Sequence, residues 1–268
     1  MEVMMIQRFD NNFFIRKNFA TKTGKIHCVY LHGLGESGLC FESLLLDLDL
    51  SDISQIALDL PNYGKNEWSD RTFSLDEYST LVAEWIRDNL HGPVVLIGHS
   101  MGGVIGQLLV EKYTDLILGF VNIEGNISIG DCQYSGKAAA YTENEFLNNG
   151  FEVLKNHVFS LAQTDLAHRN YYISIHLSKA QQFYQNSKEL VSESETNELA
   201  KRFAELSIPK IYIAGYPGGA ANRSIQQLVE INAEHVILEP SGHWPFIDQY
   251  TVFKNNLRQF LDRLHSSN

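Results

Sequence analysis

Short continuous apolar runs alternate along this chain with longer stretches whose apolar residues recur every three or four positions. Residues 26–31, 53–58, 93–97, 117–123, 208–214 and 235–238 are rich in Val, Ile and Leu and largely uninterrupted, as strands buried on both faces are. Between most of them lie helix-length patterns. Ser74-Leu-Asp-Glu77 reads as a capping box that opens a helix toward Asn89, with Leu75, Tyr78, Val82, Trp85 and Ile86 on one face. Residues 101–113, 221–232 and 249–265 supply three more helices. Such alternation predicts an α/β fold, a mostly parallel sheet with helices on both faces. Residues 13–19 are expected to add an antiparallel edge hairpin.

The alternation breaks between residues 128 and 206, where helical patterns follow one another without strands. Thr142-Glu-Asn-Glu145 and Ser192-Glu-Ser-Glu195 each look like a capping box. The expected organisation is therefore a sheet domain made of residues 1–127 and 207–268, with a helical cap of residues 128–206 inserted between two strands. The insertion carries Tyr134, Tyr141, Phe146, Phe151, Phe159, Tyr171, Tyr172, Phe183 and Tyr184. Most of these aromatics are expected to pack the insertion onto the sheet, and a few to line an apolar pocket.

Composition narrows the class. With 21 Lys and Arg against 32 Asp and Glu, the net charge is −11. Nucleic acid is an unexpected partner for such a surface, because affinity for phosphates comes mostly from Lys and Arg. Three cysteines at wide spacing, Cys28, Cys40 and Cys132, form no Cys-x-x-Cys pair and suit a reducing compartment. The N-terminal residues lack a basic stretch followed by an apolar one, and no apolar run approaches the roughly 20 residues of a membrane span. A cytoplasmic protein without a membrane span is expected; nothing in the chain marks its oligomeric state.

The chemistry concentrates in Gly98-His99-Ser100-Met101-Gly102-Gly103. A Gly-x-Ser-x-Gly turn directly after a strand and before a helix is a nucleophile elbow, which lifts the Ser100 hydroxyl above the sheet at a helix N-terminus. Acyl transfer also needs two backbone N–H groups aimed at the oxyanion. Met101, after the nucleophile, would supply one; Leu34, in the loop His32-Gly-Leu-Gly35 after an early strand, would supply the other. His32 itself reads as a brace for that loop. His243, in Ser241-Gly-His-Trp-Pro245 after the last strand, sits where open α/β sheets carry their active sites and is the expected general base.

These motifs, together with Asp59-Leu-Pro-Asn-Tyr-Gly64, occur in the order seen in the α/β-hydrolase superfamily. Over essentially its whole length the chain resembles the serine hydrolases of that superfamily that carry a helical cap, the esterases and lipases. In that family the Asp59 stretch is a structural turn. The resemblance implies a triad acid after the strand at 208–214, but Gly215-Tyr-Pro-Gly-Gly-Ala-Ala-Asn-Arg223 contains no carboxylate. A minority of the superfamily takes the acid from one strand earlier, which points to Glu124. Asp131 is the nearest competitor, and a Ser–His dyad is the remaining alternative; Asp248 reads as a cap for the final helix. The implied activity is hydrolysis of a small, fairly apolar ester or thioester through an acyl-enzyme on Ser100, with no metal or organic cofactor. Acyl transfer and carbon–carbon bond hydrolysis use the same triad. A non-catalytic ligand receptor on a hydrolase scaffold is the rival of another class.

Overall fold

A computed structural model describes residues 5–10, 12–18 and 26–266. Eight strands form one sheet: β1 (Met5–Asp10), β2 (Phe13–Asn18), β3 (His27–Leu31), β4 (Ser54–Asp59), β5 (Val94–His99), β6 (Ile117–Ile123), β7 (Lys210–Gly218) and β8 (His235–Gly242). Their order across the sheet is β1-β2-β4-β3-β5-β6-β7-β8. β1 and β2 pair antiparallel, and β2 runs antiparallel to β4; every later pairing is parallel. The expected α/β architecture is what the chain forms. The continuous apolar runs of β4 and β5 are buried throughout because helices cover both faces.

Two expectations about the sheet are made sharper. The antiparallel edge hairpin forms, with residues 13–18 as its inner strand β2 and Met5–Asp10 as the outer strand; Phe19 lies outside the described residues. The two C-terminal strands also run further than their apolar cores. Pro217 and Gly218 of β7 pair with Ser241 and Gly242 of β8. Hydrophobicity could not reveal this extension, since Tyr216, Pro217 and Gly218 are exposed. The glycine-rich segment read as a loop is partly strand, and β8 ends one residue before His243.

The core helices are α1 (Leu75–Asn89) and α2 (Met101–Lys112), followed after the insertion by α8 (Asn222–Glu230) and α9 (Tyr250–Ser266). Ser74 and Glu77 form the capping box expected of them, and α1 buries Tyr78, Val82, Trp85 and Ile86. Between β6 and β7 come α3 (Gln133–Ala139), α4 (Phe151–Ala162), α5 (Leu166–Ile175), α6 (Ala180–Glu195) and α7 (Leu199–Glu205). Thr142 and Glu145 make a second capping box, ahead of a π-helical turn at Phe146–Gly150. Ser192-Glu-Ser-Glu195 does not: it is the last turn of α6, and α7 starts at Leu199. A local capping pattern inside a continuing amphipathic helix is overridden by the packing of that helix, here through Leu190 and the buried Ser194.

Asp59 ends β4 as a structural group. It pairs with the buried Arg16 of β2 and accepts the N–H groups of Gly38 (2.7 Å) and Lys65 (2.8 Å). It thereby ties the turn after β4 to the loop after β3.

Candidate active site

Four loops meet at the C-terminal edge of the central strands. Ser100 follows β5 directly and is held at φ 52°, ψ −119°. Its N–H donates to the Ile123 carbonyl at 2.8 Å, so the elbow is tied to the end of β6. The helix behind it presses against β3: a Cβ on Gly102 would lie 2.2 Å from the Leu31 carbonyl oxygen, which only glycine permits. Five non-glycine residues among those described have positive φ; three are asparagines, which tolerate it, and the other two are Ser100 and Glu124 (φ 55°). Backbone strain of this kind is held only where the surroundings over-determine it, and it concentrates at functional sites.

Glu124 begins the segment after β6, with its N–H on the Ile213 carbonyl of β7. Its Oε1 accepts the Gly215 N–H at 2.5 Å, and its Oε2 lies 3.1 Å from Nδ1 of His243. The carboxylate is almost wholly buried. A Cβ on Gly219 would fall 2.5 Å from Oε1. The glycine-rich end of β7 and the turn after it have no acid of their own, and their glycines make room for the Glu124 carboxylate. The His243 side chain is 16% exposed, and its Nε2 makes no hydrogen bond among the described residues. Ser100 and His243 line one cavity with Gly33, Leu34, Asn126, Tyr134, Tyr171, Leu190 and Trp244. It is tight, about 20 Å³, room for about one water.

On the other side of Ser100, His32 braces the loop after β3: Nδ1 donates to the Gly33 carbonyl at 2.8 Å, and Nε2 accepts the Leu60 N–H at 3.0 Å. Burial lowers its pKa. Neither Leu34 N–H nor Met101 N–H is taken by a protein acceptor among the described residues. Asp131 lines the same cavity, but its carboxylate makes no hydrogen bond to His243 among the described residues. Its carboxylate accepts the N–H groups of Ile127, Ser128 and Ala221 and the Ser224 hydroxyl, stitching the start of the insertion to α8. Asp248 does not cap the final helix; it accepts the Gly242 N–H at 2.7 Å and so anchors the loop carrying His243.

Sequence reasoning missed a buried pair, Glu36 and His99. Glu36 is buried at the wall of the same cavity and holds three loops at once. Oε2 accepts the Gly33 N–H (2.7 Å) and faces Nδ1 of His99 (2.7 Å), while Oε1 accepts the Trp244 indole N–H (2.6 Å). His99 Nε2 in turn donates to the His243 carbonyl at 2.8 Å. Burial alone would raise the Glu36 carboxyl, but the His99 imidazolium and the hydrogen bonds bring it down to about 2. Burial opposes charge on His99 too, yet Glu36 wins and its pKa is raised. The signal was present in the sequence: Glu36 is the one Asp, Glu, Lys or Arg between residues 26 and 41.

Of the insertion's aromatics, Tyr134 and Tyr171 line the cavity; Phe146, Phe151 and Phe183 are buried in mutual ring contacts, and Phe159 is exposed. Among the described residues no group of three His, Cys, Asp or Glu is arranged to hold a metal ion, and no helix is long and apolar enough to cross a membrane.

The family model described as alpha/beta hydrolase fold matches residues 27–250, and the chain belongs to that family. Curated relatives are similar over shorter stretches. "Probable esterase PIR7A" of Oryza sativa subsp. indica is 31% identical over 100 residues, 37% of this chain and 38% of the relative. The 2-(acetamidomethylene)succinate hydrolase of Mesorhizobium japonicum is 27% identical over 96 residues, 36% of this chain and 34% of the relative. The match thus spans less than two fifths of the length of either. Among solved structures, MenH from S. aureus aligns with a TM-score of 0.76 at 16% identity, covering 94% of this chain and 98% of that one. A thermophilic esterase from Thermogutta terrifontis aligns at 0.74 and 15% identity, covering 99% and 100%. At these identities the likeness establishes the fold.

Proposed function

We propose that this chain is a serine hydrolase that cleaves a small carboxylic ester or thioester through an acyl-enzyme on Ser100. The observation that carries this reading is His243, with Nδ1 on the buried Glu124 carboxylate at 3.1 Å and Nε2 unengaged in the cavity that Ser100 lines. A carboxylate there fixes the imidazole tautomer and stabilises the imidazolium that forms when Nε2 takes the Ser100 proton. The serine oxygen attacks the carbonyl carbon, and the N–H groups of Leu34 and Met101 hold the oxyanion. His243 returns the proton to the leaving oxygen or sulfur. Water, activated by the same imidazole, then releases the acid and restores Ser100. No step needs a metal or organic cofactor.

The esterase and hydrolase names of the relatives support the reaction class. The tight cavity favours short acyl groups, or access through movement of residues 128–206, which we read as a cap over the site. Acyl transfer to another acceptor and carbon–carbon bond hydrolysis would use the same residues and differ in product. A fluorophosphonate probe, with p-nitrophenyl esters and acyl thioesters of increasing chain length, tests the proposal. Labelling at Ser100 and turnover of short acyl groups are expected. A chain that neither labels nor turns over any of them is a receptor on a hydrolase scaffold.

A further inference from the structure

Tyr171 comes from α5, in the insertion, and is 3% exposed. It lines the same cavity as Ser100, Leu34, His243 and Trp244. The Tyr134 and Trp244 rings pack against it, with centroids 5.2 and 5.4 Å away. The ring is therefore fully held, while the hydroxyl has no hydrogen-bond partner among the described residues. That hydroxyl lies against the loop after β3: a Cβ on Gly35, whose φ of +76° already demands glycine, would come within 2.8 Å of it. Neighbouring Tyr134 shows the contrast. Its hydroxyl donates to His168 Nε2 at 2.8 Å, and Asp165 holds His168 Nδ1 at 2.6 Å. One tyrosine at the cavity is tied down by the protein; the other is buried with its donor unused. Buried polar groups are nearly always paired, and of the nine unpaired buried side-chain atoms among the described residues this hydroxyl belongs to the one residue that lines the cavity with Ser100, where a ligand can supply the partner.

We infer that the Tyr171 hydroxyl is a specificity-determining contact, donating a hydrogen bond to an oxygen acceptor that the substrate carries beside its scissile carbonyl. The substrate class is then short oxygenated esters in preference to alkyl esters of the same size. This rests on the serine-hydrolase reading and adds a substrate feature to it. Sites built around a polar contact discriminate far better against an analogue lacking that group than apolar pockets discriminate by size.

The test exchanges one CH2 for an ether oxygen on either side of the ester. p-Nitrophenyl methoxyacetate against p-nitrophenyl butyrate places the oxygen in the acyl part; 2-methoxyethyl acetate against butyl acetate places it in the alcohol. kcat/KM is measured for all four in the wild type and in Tyr171→Phe. Dividing the variant's oxygen-to-methylene ratio by the wild type's cancels intrinsic reactivity. In one pair the ratio is expected to fall about tenfold or more. The variant's Tm stays level or rises, because an unpaired buried hydroxyl has been removed. Both ratios unchanged within about twofold, or a clear loss of Tm, would overturn the inference while leaving the hydrolase reading intact. A wild type inactive on all four esters, or a Ser100→Ala variant as active as it, would remove that reading and this inference with it.

Discussion

Two carboxylate–imidazole pairs lie side by side at the edge of the sheet, with the His99 and His243 rings 4.8 Å apart. They use the same chemistry and differ by one nitrogen. In Glu36–His99 both ring nitrogens face acceptors, a carboxylate and the His243 carbonyl, so both carry protons and the ring is a fixed cation. In Glu124–His243 one nitrogen is held and the other is unengaged in the cavity. A ring saturated with partners is a clamp; a ring with one nitrogen to spare can move a proton. Proximity to the serine does not separate the two, since His99 is its chain neighbour. The hydrogen-bond inventory does.

The largest expected effect is at the group both pairs surround. Ser100→Ala should lower kcat/KM on the order of 10³-fold or more, with Tm nearly unchanged. Activity within about tenfold of wild type would make another residue the nucleophile. Next comes the acid. Glu124→Gln keeps the shape and one hydrogen bond but loses the charge behind His243, so kcat should fall by about 10²- to 10⁴-fold with KM little changed. A comparable loss of kcat in Glu36→Gln would break the distinction between the pairs.

The sequence read well where one segment carries its own signal. The elbow at 98–103, the loop at 32–35 and the alternating core strands are each local patterns, and each forms the element expected of it. Glu124 was reached by elimination, and its seat against Gly215 and Gly219 depends on the neighbouring strand, which no local pattern encodes. Glu36 escaped because its partners lie 3, 63 and 208 residues away. His99 escaped for another reason: inside Gly-x-Ser-x-Gly it occupies a position read as a spacer. Asp248 had a plausible local role as a helix cap, and the loop before it won its carboxylate instead.

Glu36→Gln should act chiefly on stability. Removing one partner of a buried ion pair costs about 3 kcal/mol, and the change also weakens the acceptor for Gly33 and Trp244. Urea unfolding would show this as a lower midpoint at similar slope. Since Glu36 touches none of the proposed reacting atoms, kcat should drop by less than in Glu124→Gln. A variant as stable as wild type would mean that the Glu36–His99 pair contributes nothing net.

The smallest expected effect, and the finest test of the difference between the two rings, is the pH dependence of that stability. The Glu36 carboxyl is brought from its ordinary 4.5 down to about 2, so its contribution is complete above pH 4.5 and drains away as the pH falls toward 2. The His99 value is raised above its ordinary 6.5, so its contribution is complete below pH 6.5 and is lost as the pH rises through the raised value. Together they confine the full stabilisation by the pair to the interval between those ordinary values. The Tm difference between wild type and Glu36→Gln should peak there and shrink on both sides. Nitrogen chemical shifts of His99 would show the same thing from the ring itself, with both nitrogens protonated at pH 6. A Tm difference still growing at pH 8, or a singly protonated His99 at pH 6, would make His99 a neutral ring hydrogen-bonded to the carboxylate, not a cation paired with it.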